Sequence, residues 1–167
     1  ITKLYIDIMR GTPLMLQLMV VYYGPYFLWK ADIGGFRYMA IILAFSINYA
    51  AYFAEIYRSG IESMPKGQYE AAEVLGYTRV QTFVFIILPQ VIKRVLPSIT
   101  NEMVTLVKDT SLAFSLAYME MFTIAKQIAA KETTFVPFAV AAIFYFIFNW
   151  IVSTGMTKLE EKLNYYR

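Results

Sequence analysis

Four apolar stretches of nearly membrane-spanning length constrain this chain more than any other feature: Leu14 to Trp29, Phe36 to Tyr57, about Ile99 to Ile124, and Phe135 to Met156. A helix needs about 20 mainly apolar residues to cross a bilayer, where the backbone has no water to bond. Only the last stretch is close to unbroken. The others carry Gln17, Asn48, Glu55, Thr105, Lys108 and Asp109, which hydrocarbon penalises unless they face other helices or a wet cavity. The fold class expected is therefore an all-α membrane protein, a polytopic bundle of four visible transmembrane helices forming one domain over residues 1–167.

Composition agrees and removes other classes. The chain is 59% hydrophobic and 16% charged, against roughly 25% charged in soluble domains. It has no cysteine and no histidine, so thiol nucleophiles, Cys-ligated metals and the commonest general base are all absent. The G-x-x-x-x-G-K-[ST] phosphate loop is also missing. An intramembrane enzyme would have to work with Ser, Thr, Asp, Glu, Lys or Tyr alone. The sequence opens on Ile1, without a methionine and already inside a mixed polar and apolar segment, so a segment upstream is expected.

Between the second and third stretches lies a polar region, about 58 to 97, whose local signals are readable. Pro65 suits a first helical turn and Gly76 a left-handed stop, which predicts a short helix over Pro65 to Leu75. Thr78 and Gln81 have capping-box spacing, the apolar run Val84 to Leu88 follows, and Pro89 is expected to close that second short helix.

Ten of the fifteen basic residues fall on the side of the N-terminal stub, the 58–97 region and the tail: Lys3, Arg10, Arg58, Lys66, Arg79, Lys93, Arg94, Lys158, Lys162 and Arg167. Lys30, Arg37, Lys126 and Lys131 fall opposite, with Lys108 inside a stretch. By the positive-inside rule the 58–97 region and the C-terminus are cytoplasmic. Tyr22, Tyr23, Tyr26, Trp29, Tyr165 and Tyr166 lie where interfacial aromatic belts are expected.

The polar residues inside the stretches form two stripes. Asn48, Tyr52 and Glu55 share one face of the second, and Glu102, Thr105 and Asp109 one face of the third, with Asn101 beside them. Such stripes suit a small solute that carries both a positive and a negative group, which needs acceptors and donors together. Asp109, Thr110 and Ser111 supply both kinds, and a helix break there would aim free N–H groups at a carboxylate while Asp109 or Glu55 took an ammonium. Each residue also has a plainer reading. Glu55 can pair with Arg58, Lys108 can snorkel or neutralise an acid, and Asn48, Tyr52 and Thr105 can be interhelical glue. Gln17 either lines a cavity or bonds across helices. Arg10-Gly11-Thr12-Pro13 reads as a basic anchor before a Pro-started helix.

Glu70-Ala71-Ala72, followed by Gly76, Ile86 and Leu88-Pro89 at fixed spacing, resembles the EAA loop of binding-protein-dependent ABC importer permeases. Arg10 to Leu14 with Gln17, Ala54-Glu55-Ile56 with Arg58, Gly60, Pro65, Gly67 and Gln68, and Lys108 to Leu112 resemble its polar amino acid subfamily. The resemblance implies five spans in a full-length chain, one of them upstream of Ile1. It implies a multi-pass protein of the bacterial inner membrane that binds no cofactor itself. Its partners would be lipid, a second permease subunit, identical or homologous, two ATP-binding subunits using ATP and Mg²⁺, and an extracytoplasmic amino-acid-binding protein. The cargo would be a polar amino acid, and nucleic acid is not implied as a partner. Pro65, Gly67, Gln68, Glu70, Ala71, Ala72 and Gly76 would then form the coupling element that docks on the ATPase. An ion-coupled secondary carrier or a channel is the alternative, and the intramembrane acids suit it, but it gives no reason for the EAA spacing.

Overall fold

The computed structural model describes residues 2–163; Tyr165, Tyr166 and Arg167, named above, lie outside the described residues. Seven helices, all of the regular structure among those residues, follow one another: α1 (Thr2–Gly11), α2 (Leu14–Trp29), α3 (Arg37–Glu62), α4 (Lys66–Val74), α5 (Arg79–Leu116), α6 (Met121–Glu132) and α7 (Val136–Leu163). Three of them, α3, α5 and α7, are long and apolar enough to cross a membrane. The first two, bent by 109° at Gly11 to Pro13, make a fourth if the pair is one broken span.

Small residues set the packing. Leu18 and Tyr22 of α2 bury against Ala40 and Ala44 of α3, with Leu116 from the end of α5 completing that cluster. Lower down, α3 crosses α5 where Gly60 meets Val95: a Cβ on Gly60 would lie 2.2 Å from Val95 Cγ1. Beside that crossing, Ile87, Val91 and Val95 pack with Met64 in a second cluster. Much of α7 stays uncovered, with Phe146 and Trp150 both strongly exposed. Such faces suit lipid or another subunit.

Four expectations need correcting. Pro89 does not close a short helix, because α5 runs unbroken from Arg79 to Leu116. The turn before Pro89, Thr82–Ile87, is π-helical, and its wider winding changes which carbonyl faces the proline ring that has no N–H to give. The polar region is correspondingly shorter as a connector, since residues 58–62 belong to α3 and 79–97 to α5. The third span also ends earlier than Ile124. Ala117 takes a left-handed φ of 51°, and Glu120 caps a new helix by accepting from the Phe122 and Thr123 amides at 2.6 Å. Tyr22, finally, is no belt residue; it is buried, with the Arg37 guanidinium 5.8 Å from its ring.

Candidate functional site

Two hydrogen bonds bracket the contact between α3 and α5. At one end the Tyr49 hydroxyl donates to Asp109 Oδ2 at 2.8 Å, and at the other Arg94 Nη1 donates to the Ser63 carbonyl at 2.7 Å. Tyr49 and Ser63 are 14 positions apart and Asp109 and Arg94 are 15, so the antiparallel helices stay in register over about 21 Å at 1.5 Å per residue. Between the ties α3 presents Tyr52, Glu55 and Ser59 while α5 presents Ser98 and Glu102 on the face of Asp109. Of the two predicted stripes, Asp109 meets α3 through Tyr49, a residue of neither stripe, while Asn48 and Thr105 bond elsewhere.

The third wall of this seam is α1. Arg10 lies 3.6 Å from Glu55, stands 5.5 Å over the Tyr52 ring, and is within Coulomb range of Glu102. Glu55 also takes a bidentate pair from Arg58, at 2.9 and 2.5 Å, and Arg58 reaches on to Glu62. Charges that hydrocarbon would reject singly are thus neutralised as a chain at one end of the bundle.

Asn48 and Gln17 turn to a different task. Gln17 Nε2 donates to the Met9 and Thr12 carbonyls and to Thr12 Oγ1, and Asn48 Nδ2 donates to Gln17 Oε1 and the Met9 carbonyl. These side chains satisfy carbonyls freed where Gly11 and Pro13 interrupt the helix. So the break in a span lies at residues 11–13 and not at Asp109 to Ser111. There α5 only tightens into a 3₁₀ turn, the Thr110 amide still bonds the Leu106 carbonyl, and the Thr110 and Ser111 hydroxyls return to the carbonyls of Val107 and Lys108. Thr105 does likewise, donating to Asn101. Tyr145 of α7 brings its hydroxyl within reach of Thr110, Ser111 and Glu120.

At the Arg94 end the chain leaves α3 and makes the knob α4. Pro65 is its extended N-cap, and Gly76, at φ 80°, ends it: the Gly76 amide bonds Glu73 and the Tyr77 amide bonds Ala72, the paired reverse bonds of a Schellman stop. Ala72 is buried at the base, while Val74 and Leu75 expose an apolar tip. Gln90 of α5 donates to Gln68, so the knob is tied to two spans at once. Glu70, Ala71 and Gly67 lie on its exposed surface. Thr78 and Gln81 form the full capping box that starts α5.

A family model described as the binding-protein-dependent transport system inner membrane component matches residues 1–165. The chain belongs to that family. It is 40% identical to the octopine transport system permease protein of Rhizobium radiobacter, over 96% of this chain and 69% of that relative. With the L-cystine transport system permease protein of Bacillus subtilis the identity is 35%, covering 98% and 70%. A crystal structure of an amino acid ABC transporter with histidines superposes with a TM-score of 0.85 at 31% identity, over 96% of this chain and 74% of that one. The chain therefore resembles amino acid permease subunits in sequence and in fold.

Tyr49, Arg94, Glu120 and Tyr145 do not stand out in the sequence stripes. A tyrosine in mid-span among Phe45, Tyr52 and Phe53 needs a partner for its hydroxyl, and that was the available signal for Tyr49. Glu120 follows a left-handed alanine that no sequence rule marks.

Proposed function

We propose that this chain is the permease subunit of an ATP-driven importer of polar amino acids. It pairs with a second permease subunit, identical or homologous, and works with two ATP-binding subunits and an extracytoplasmic binding protein. The carrying observation is the α4 knob held by both walls of the polar seam: by chain connection to α3 and by the Gln68–Gln90 bond to α5. A push on α4 is then a push on the helices that bear Tyr52, Glu55, Glu102 and Asp109. Asp109, with one oxygen held by Tyr49, offers the other to an ammonium, and Thr110 and Ser111 stand beside it as hydroxyl partners. ATP and its Mg²⁺ act in the partner subunits, and α4 and the C-terminus face the cytoplasm.

The test is reconstitution in proteoliposomes with the cognate ATPase and binding protein. Uptake that requires both ATP and the binding protein supports this reading. Uptake driven by a proton or sodium gradient with no ATPase present would make the chain a secondary carrier instead.

A further inference from the structure

A cavity of about 420 Å³ opens off the seam at its α4 end, lined by Arg10, Glu55, Ser59, Ser63, Arg94 and Ser98. Its floor is the close crossing of α3 and α5 at Gly60. Two guanidiniums, one carboxylate and three hydroxyls surround a space the size of a small metabolite. That set complements a zwitterion, with the arginines matching a carboxylate and the glutamate an ammonium.

The groups keep capacity for a ligand. Arg94 gives one N–H to the Ser63 carbonyl, and a guanidinium has five to give. Glu55 Oε1 receives Arg58 Nη2 and Arg10, whereas among the described residues Oε2 receives only Arg58 Nε, which leaves a second lone pair on Oε2 there. The cavity is also separate from Asp109. Its lining residue nearest Tyr49 along α3 is Glu55, six positions on and about 9 Å of helix away, and on α5 Ser98 lies eleven positions from Asp109.

We infer that this cavity is a second amino acid site, one that cargo occupies on leaving the seam and through which cargo accumulated on the α4 side inhibits the transporter. The inference rests on the proposed function and on α4 facing the cytoplasm. A ligand there would touch α1 through Arg10, α3 through Glu55 and α5 through Arg94. Joining those three walls holds the seam in one arrangement, and a full cavity blocks the next release.

The experiment uses the whole reconstituted complex, loaded inside with the L-amino acid that the same vesicles import fastest. Each variant's uptake is normalised to its own rate in unloaded vesicles. Internal amino acid at millimolar concentration should slow uptake, and Ser98→Leu, which fills the cavity without touching a charge, should raise the half-inhibitory internal concentration roughly tenfold. Ser59→Leu fills the cavity from the α3 wall and should do the same, so a folding failure in one variant leaves the other to decide. Wild-type uptake indifferent to internal amino acid, or inhibition that both variants leave unmoved, overturns the inference while the proposed function stands. A rate that follows the anionic lipid content of the vesicles and ignores internal amino acid would assign the cavity to a lipid phosphate and also overturn it. Absence of any ATP-dependent uptake is a different result and counts against the proposed function.

Discussion

Tyr49 holds Asp109: the phenol of α3 donates to the carboxylate of α5 at 2.8 Å, near the end of the seam farthest from α4. The bond fixes where the acid points and ties the two helices that the knob is built on. Phe45, Tyr52 and Phe53 pack around the Tyr49 ring with centroids 6.1 to 6.5 Å away, so the hydroxyl has little freedom to leave.

Removing that hydroxyl separates positioning from charge. Tyr49→Phe keeps the ring and deletes the donor, a loss of about 1.5–3 kcal/mol for a bond to a charged group. Asp109→Asn keeps an acceptor oxygen but deletes the charge. If Asp109 anchors the cargo's ammonium, Asp109→Asn should raise the uptake half-saturation roughly ten- to a hundredfold while basal ATP hydrolysis continues. Tyr49→Phe should lower thermal stability in detergent and raise the half-saturation less. Because the residues are in contact, the double variant should fall short of the sum. An Asp109→Asn complex with unchanged half-saturation would make the acid a packing residue only.

The crossing at Gly60 predicts a steric failure. A methyl there would sit 2.2 Å from Val95 Cγ1, and overpacking of a tight contact costs about 1–3 kcal/mol. Gly60→Ala should therefore melt earlier and assemble poorly, and Val95→Ala in the same chain should restore part of the loss. Gly155→Ala in α7 is the matched control, since nothing lies within 4 Å of the added Cβ. Equal melting of the two alanine variants would contradict the packing described for α3 and α5.

The spans α3 and α7, the short α4 and the capping box are legible because each rests on a local rule: apolar length, a Pro start, a Gly stop, and Thr78 with Gln81. What escaped depends on winding and on partners. Pro89 looked like a terminator because the rule assumes α-helical bonding, and the π turn at Thr82–Ile87 changes it. Asp109-Thr110-Ser111 looked like a break because its hydroxyls compete with the backbone, but here they bond carbonyls one turn back and the helix continues. Gly11 and Pro13 carried the stronger breaker chemistry. The stripe of Asn48, Tyr52 and Glu55 was readable as a face; that Asn48 would turn to Gln17 and the Met9 carbonyl required knowing where α1 lies.

The charge bias predicts the orientation of the bundle, and labelling tests it. The chain has no native cysteine to interfere. A cysteine at Gln68, on α4, should react only with reagent on the cytoplasmic side, and one at Lys30 or Lys131 only from outside. Labelling of position 68 from outside would invert the bundle and leave α4 nothing to meet in the cytoplasm.

Gly76→Val tests whether α4 transmits force. Gly76 sits at φ 80°, a backbone region that a β-branched residue rarely adopts, and no neighbouring atom lies within 4 Å of the added Cβ. The substitution therefore acts through backbone conformation alone. Its cost, on the order of 1–3 kcal/mol, falls on the two Schellman bonds from Gly76 to Glu73 and from Tyr77 to Ala72. Without them α4 loses its fixed angle to α5, while Ala72 at its base and the clusters at Gly60 and Met64 still hold the spans. The variant should insert, bind its partner subunits and hydrolyse ATP at a basal rate. Stimulation of that hydrolysis by the loaded binding protein should be lost, together with uptake. A Gly76→Val complex whose stimulated hydrolysis and uptake match the unmodified complex would show that the aim of α4 does not matter, and coupling would have to be sought elsewhere on the exposed surface.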